Sequence, residues 1–125
     1  MRDIIYTSDA PAPPPPYSQA VRAGGLVFVG GQPPFDPATG ELAGPTIQEQ
    51  TRQCLANVEA VLKAAGSSLG QVVSATFILA DEADFPGVNE EWVRWFPTDP
   101  PARQGAKLPI RVEGMKISVA VIATV

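Results

Sequence analysis

Three runs, Leu26–Val29, Val72–Leu79 and Ile117–Ile122, are apolar or small at successive positions rather than at every second one. Alternation marks a strand with one wet face, whereas a run apolar on both sides needs cover on both. Val72 to Ala80 is rich in β-branched residues, and Lys116 to Val125 places Ile117, Val119, Val121 and Ala123 on one face, so both read as strands. Whatever else the chain folds into, it must bury such a sheet.

Two stretches can supply cover. Thr46-Ile47-Gln48-Glu49 fits a capping box, in which the Thr hydroxyl takes one orphan N–H and the Glu side chain reaches back. From there Ile47, Thr51, Cys54 with Leu55, Val58, Val61 with Leu62, and Ala65 recur at helical spacing, and Gly66 is a natural stop. The pattern predicts a helix of about 18–20 residues, roughly 30 Å long. A second helix begins near Phe85-Pro86, capped by Asp84 or by Asp81. Val88, Trp92, Trp95 and Phe96 mark its apolar face and Pro97 ends it. Cys54 falls on the first stripe and reads as a small core residue.

The remaining segments are shorter. Residues 3–7 look like a strand, and the five prolines between Ser8 and Pro16 predict extended backbone laid along the domain surface. Tyr17–Ala23 and Leu26–Val29 flank Gly24-Gly25, a hairpin signal. The second arm runs out at Gly30-Gly31-Gln32, where a bulge and a backbone contact to a ligand are equally open readings. Beyond Pro100-Pro101, residues 103–108 and 110–112 can each be extended, broken at Pro109. The order predicts one α+β domain over 1–125, a mixed sheet with two helices packed on one face. Two helices cannot cover the other face. Further copies of the chain are expected there, which makes clefts between copies candidate sites.

Composition narrows the chemistry. The chain of 125 residues carries a net charge of −4, no histidine and one cysteine. Phosphate-backbone binding needs clustered Lys and Arg, and the nine basic residues are scattered, so no nucleic-acid partner is expected. The sequence lacks the usual transition-metal ligand sets and any Ser–His or Cys–His nucleophile pair. Gly24-Gly25 and Gly30-Gly31 open no dinucleotide fingerprint. No metal and no cofactor are expected. With no apolar stretch of membrane length, no signal-peptide pattern in Met1-Arg2-Asp3-Ile4-Ile5 and an unpaired thiol, a cytoplasmic protein without a membrane partner is expected.

Against that background Arg103 stands out. Pro100-Pro101 can neither continue a helix nor sit in a central strand, so Arg103 opens a new element just after a rigid approach. A guanidinium held there can offer two parallel N–H donors to a carboxylate. The plainer reading is a solvated charge or a surface ion pair worth little. Asn89, beside the second apolar stripe, reads first as a helix-surface residue and second as a ligand contact.

Several stretches, in order, resemble the RidA (YjgF) family of reactive intermediate deaminases. They are Pro16-Tyr17-Ser18-Gln19-Ala20, Val27-Phe28-Val29-Gly30-Gly31-Gln32, Glu49-Gln50-Thr51-Arg52-Gln53 and Leu62-Lys63-Ala64-Ala65-Gly66-Ser67-Ser68-Leu69. To these add Asp84-Phe85, Val88-Asn89-Glu90 and Pro101-Ala102-Arg103. The resemblance implies a chorismate-mutase-like α+β fold and a homotrimer with sites in its inter-subunit clefts. It implies hydrolysis of 2-imino acids, formed from enamines, to 2-keto acids and ammonia. Arg103 would hold the substrate carboxylate, Tyr17 would belong to the catalytic site, and the Gly31 backbone and Asn89 would contact substrate.

The chain also departs from the family pattern. Gly30 stands where well-characterised members have serine, Gly105 where they have cysteine, and Ala120 aligns with a glutamate thought to position water. Three shortened side chains predict a roomier cleft for bulkier substrates. They also leave open a non-catalytic, carboxylate-binding or metabolite-sensing trimer that keeps the arginine clamp. A ribonuclease reading, attached to parts of the family, is the weakest on charge and on the missing histidine.

Overall fold

The computed structural model describes residues 1–125. Its strands are β1 (Asp3–Ile5), β2 (Ala20–Ala23), β3 (Leu26–Gln32), β4 (Val72–Leu79), β5 (Ala102–Lys107) and β6 (Ile117–Thr124). Its helices are α1 (Ile47–Ala64) and α2 (Phe85–Trp95). The strands form one sheet in the order β1-β2-β3-β6-β4-β5. Only β4 and β5 run parallel; every other pairing is antiparallel. The fold is therefore α+β with a mixed six-stranded sheet, as the pattern of runs required. The last strand, β6, is inserted between β3 and β4, so it pairs on both sides.

Local signals account for most boundaries. Gly24 and Gly25 both take positive φ, 61° and 79°, the geometry a two-residue hairpin turn demands. At the start of α1, Thr46 Oγ1 accepts from the Glu49 N–H at 3.1 Å. In return the Thr46 N–H and hydroxyl donate to Glu49 Oε1 at 3.2 and 2.7 Å. Those side-chain and backbone bonds hold the Glu49 carboxyl below the usual carboxylate range. Of the two candidate caps of the second helix, Asp81 makes a side-chain capping bond, whereas Asp84 sits at the N-cap position without one. Asp81 Oδ1 accepts from the Ala83 N–H to start a 3-10 turn over Glu82–Asp84, and α2 follows from Phe85.

Three boundaries and one expected strand differ from the sequence reading. The first strand stops at Ile5, and β2 starts at Ala20 rather than Tyr17. Strand β3 continues through both glycines to Gln32, with a register shift against β6 between Val29 and Gln32. Residues 110–112 form no strand, because once Leu108 has donated to the Leu79 carbonyl, Pro109 ends the pairing with β4.

One face of the sheet carries the core. Val27, Val29, Ala75, Phe77, Leu79, Ile117, Val119 and Val121 meet Cys54, Leu55, Val58, Val61 and Leu62 of α1 and Val88 and Trp92 of α2. Cys54 is fully buried, with its Sγ 3.7 Å from the Ile117 carbonyl oxygen, and burial pushes its thiol pKa well above the usual range. The helices are tied across their seam: Arg52 donates to both oxygens of the buried Glu91 carboxylate at 3.3 Å, and Trp95 Nε1 adds a third bond at 3.1 Å. On the opposite face Phe28 is exposed and Ile78, Ala120 and Ile122 are only partly covered. No helix is long and apolar enough to cross a membrane.

The proline-rich segment lies along the domain, held by one residue the sequence reading quoted only as part of a motif. Gln19 is buried, at 2% exposure. Its Oε1 accepts from the Thr7 N–H at 2.7 Å, and its Nε2 donates to the carbonyls of Thr7 and Pro11 at 3.0 and 2.9 Å. Prolines offer carbonyls but no N–H, so a side-chain amide suits such a strap well.

Candidate functional site

Arg103 lies on β5, opposite Ala75 of β4. In a parallel pair, residues in register share a face, so Arg103, Gly105 and Lys107 point with Ala75, Phe77 and Leu79 toward the helix layer. Three aromatic rings meet the guanidinium there. Its Cζ lies 5.0 Å from the Phe77 centroid, 5.0 Å from Trp92 and 5.6 Å from Phe85. Phe77 and Phe85 are themselves stacked at 5.8 Å. Aromatic faces attract a cation and restrict its rotamers. The cost is lost hydration, and desolvation lowers the Arg103 pKa from its ordinary value. A guanidinium stays protonated near neutrality all the same. The Arg103 side chain makes no ion pair within the chain; the four that exist involve other residues. A groove of about 260 Å³ runs past it, lined by Phe77, Phe85, Gln104, Gly105, Ala106 and Lys107.

Gly105 corrects one expectation. It is the register partner of Phe77, and a Cβ at Gly105 would overlap the Phe77 ring. The missing side chain therefore adds no room to the groove. It lets the Phe77 ring lie flat across β5 and reach the guanidinium. A glycine in a strand that admits a neighbouring ring is a recognised packing device. Its signal was available in the sequence only to a reader who already knew the β4–β5 register.

Asn89 falls on the same side of α2. The helical spacing Phe85, Asn89, Trp92 stacks it between two of the rings that flank Arg103. It is half-buried and makes no side-chain hydrogen bond within the chain. Arg103 and the α2 face that carries Asn89 thus lie on one side of the molecule.

Tyr17 and Gly31 lie together at the far side of the sheet. Both border a small cleft between the proline strap and β3, with Pro11, Pro13, Gln19 and Gln32. The Tyr17 side chain is exposed, at 54%. Gly30 donates its N–H to the Gln19 carbonyl at 2.9 Å, and Gly31 falls inside the register shift, out of step with β6. Strand order places β6 and β4 between Gly31 and Arg103. Three inter-strand steps of about 4.8 Å put some 14 Å between the two backbones. One copy of the chain does not bring its two groups onto a single small ligand.

The side chain that borders Gly31 on β6 was missed. A Cβ built on Gly31 would lie 3.6 Å from Ser118 Oγ, with no atom of Ala120 within 4 Å. Ala120 sits instead opposite Thr76, whose Oγ1 accepts from Gln104 Nε2 at 3.2 Å. No group of three or more His, Cys, Asp or Glu side chains is placed to hold a metal.

The chain is similar to known proteins over nearly its whole length. A family model described as "Endoribonuclease L-PSP" matches residues 7–125. A RutC family protein from Pyrococcus horikoshii is 42% identical over 98% of both chains. The 2-iminobutanoate/2-iminopropanoate deaminase of Capra hircus is 38% identical over 98% of this chain and 90% of its own. Among solved structures, E. coli TdcF with bound serine superposes at a TM-score of 0.91, with 34% identity and 98% of each chain covered.

Proposed function

The chain belongs to the RidA/YjgF family, the family of the endoribonuclease L-PSP model, and from that premise we propose that it hydrolyses reactive 2-imino acids to 2-keto acids and ammonia. The observation that carries the reading is the Arg103 guanidinium, packed among three rings, unpaired within its own chain and facing a groove. A partly desolvated cation without an anion is a place for one to bind, and two parallel N–H donors match a carboxylate. Support comes from the relative named as an imine deaminase and from the serine, itself a carboxylate, bound in TdcF.

Such a reaction asks little of a protein. Imines hydrolyse in water unaided; fixing the carboxylate, keeping the imine protonated and presenting a water accelerate the step. A 2-imino acid of about six heavy atoms can gain at most about 9 kcal/mol on binding, so weak affinity is expected. Because Arg103 and Asn89 lie far from Tyr17 and Gly31 in one copy, we assign the complete site to a cleft between copies. Arg103 and Asn89 come from one subunit, and Tyr17 and Gly31 from its neighbour in a homotrimer. The uncovered sheet face, with exposed Phe28, is the surface such an assembly would bury.

A second reading keeps the clamp without the chemistry. It is favoured by the absence of any carboxylate among the residues lining the Arg103 groove. A coupled assay that generates 2-iminobutanoate in situ separates the two. We expect the wild type to exceed the uncatalysed rate and Arg103→Ala to lose that excess. A wild-type rate equal to the uncatalysed one, with 2-ketobutyrate still bound, leaves only the carboxylate-binding function.

A further inference from the structure

We propose that Ser118 orients the hydrolytic water, at the spot where a carboxylate at residue 120 was expected to act. This rests on the imine-hydrolysis reading above. The register shift between Val29 and Gln32 decides which side chain of β6 borders Gly31, and that side chain is Ser118. Gly31 has no side chain to screen the hydroxyl, whose Oγ lies 3.6 Å from the Gly31 Cβ direction. Of the hydroxyls on this face of β4 and β6, those of Ser74, Thr76 and Ser118, only the last borders Gly31. Thr76 Oγ1 already accepts from Gln104 Nε2, whereas Ser118 makes no side-chain hydrogen bond within the chain and is half-exposed. Across β4 its register partner is the apolar Ile78, which offers it no polar partner. Ser118 therefore keeps one O–H donor and two acceptor lone pairs for a water beside Gly31.

A serine hydroxyl is too weak a base to take a proton from water near neutrality, so its contribution is orientation. The water oxygen bonds to the iminium carbon as the C=N π pair moves to nitrogen. The proton shed by the water is carried through solvent to that nitrogen. The C–N bond then breaks, its electron pair leaving on ammonia while the new hydroxyl oxygen becomes the ketone. The ammonia takes up the hydroxyl proton, so an iminium and a water give a ketone and an ammonium ion. No oxidant or reductant is needed.

The test compares Ser118→Ala, Ser118→Thr, Ser118→Glu and Ala120→Glu in the full chain, with 2-iminobutanoate generated in situ. Ser118→Ala should lower kcat about tenfold at unchanged KM and unchanged 2-ketobutyrate affinity. Ser118→Thr, which keeps the hydroxyl, should retain most of the rate. Ser118→Glu should raise kcat and add an acid limb to the pH profile, while Ala120→Glu should do neither. Thermal melts identify any variant that fails to fold, and the threonine variant still carries the comparison. Wild-type turnover that is indifferent to Ser118→Ala, or that rises only with Ala120→Glu, overturns this assignment and leaves the deaminase reading intact. A wild-type rate no better than the uncatalysed one overturns both.

Discussion

At the β5 edge, Arg103 is gripped by rings from β4 and α2; at the other side of the sheet, Tyr17 and Gly31 are placed by a proline strap and a strand irregularity. The first group is finished within one chain, since its aromatic side chains pack on the common core and hold the cation before any ligand arrives. The second is unfinished, because Tyr17 is exposed and Gly31 offers backbone alone. Such a contrast fits a site assembled from two copies, in which one copy brings a preorganised charge and the other an open wall.

The sharpest way to break that comparison is complementation. Arg103→Ala removes the charge, and Gly31→Leu, whose Cβ would meet only ordinary contacts with Ser118 in its own chain, should fill the wall. Arg103→Ala alone should fall at least ~100-fold in kcat/KM, given about 1.5–3 kcal/mol for each charged hydrogen bond lost, and Gly31→Leu alone should lose activity by blocking the cleft. Unfolding the two together and refolding a 1:1 mixture should restore about a quarter of wild-type turnover, the share of inter-subunit sites with both halves intact in a randomly mixed trimer. Zero recovery from correctly assembled mixtures would place both groups in one subunit's site and dissolve the contrast.

A smaller effect tests the charged half alone. Gly105→Cys restores a family residue, and intuition from sequence would predict better activity. The packing predicts the reverse, since a Cβ there overlaps the Phe77 ring that holds Arg103. Overpacking of this kind costs about 1–3 kcal/mol of stability. Denaturant melts should show that loss, and titration with 2-ketobutyrate should show weaker binding. Improved binding by Gly105→Cys would mean that the ring contact does not set the guanidinium.

How much of this was legible in the sequence depends on the range of the interactions. Local signals carried through: the Thr46–Glu49 capping box, the Gly24-Gly25 turn and the α1 stripe are each fixed by residues within one or two turns of each other. Boundaries set by pairing did not, as the extension of β3 through Gly30-Gly31 and the absence of a strand at 110–112 show. The site divides the same way. Arg103 could be singled out from the prolines before it, but its cradle joins residues 77, 85, 92 and 103 through the β4–β5 register and the docking of α2. Ser118 was invisible for the same reason, since only the β3–β6 shift reveals that it, and not Ala120, borders Gly31.

The open half yields the gentler predictions. Gln19→Ala removes the buried amide that ties down Thr7, Ala10 and Pro11, leaving the Thr7 N–H without its side-chain acceptor. An unsatisfied buried group costs about 1–3 kcal/mol. Amide exchange in the strap should quicken, and because Gln19 and Tyr17 border the same cleft, 2-ketobutyrate binding should weaken, though far less than for Arg103→Ala.

Tyr17→Phe should have the smallest effect. The ring that forms the wall remains, the exposed hydroxyl makes no hydrogen bond within the chain, and a water can replace it at little cost. A fall of about two- to fivefold in kcat is expected, corresponding to roughly 0.4–1 kcal/mol. Steady-state kinetics with 2-iminobutanoate at fixed ionic strength can resolve that from the tenfold loss predicted for Ser118→Ala. If the order is reversed, and the phenol matters more than the serine, the water is held from the strap side of the cleft. The open wall would then contribute a specific donor where surface alone was expected, and the division between a finished and an unfinished half would weaken.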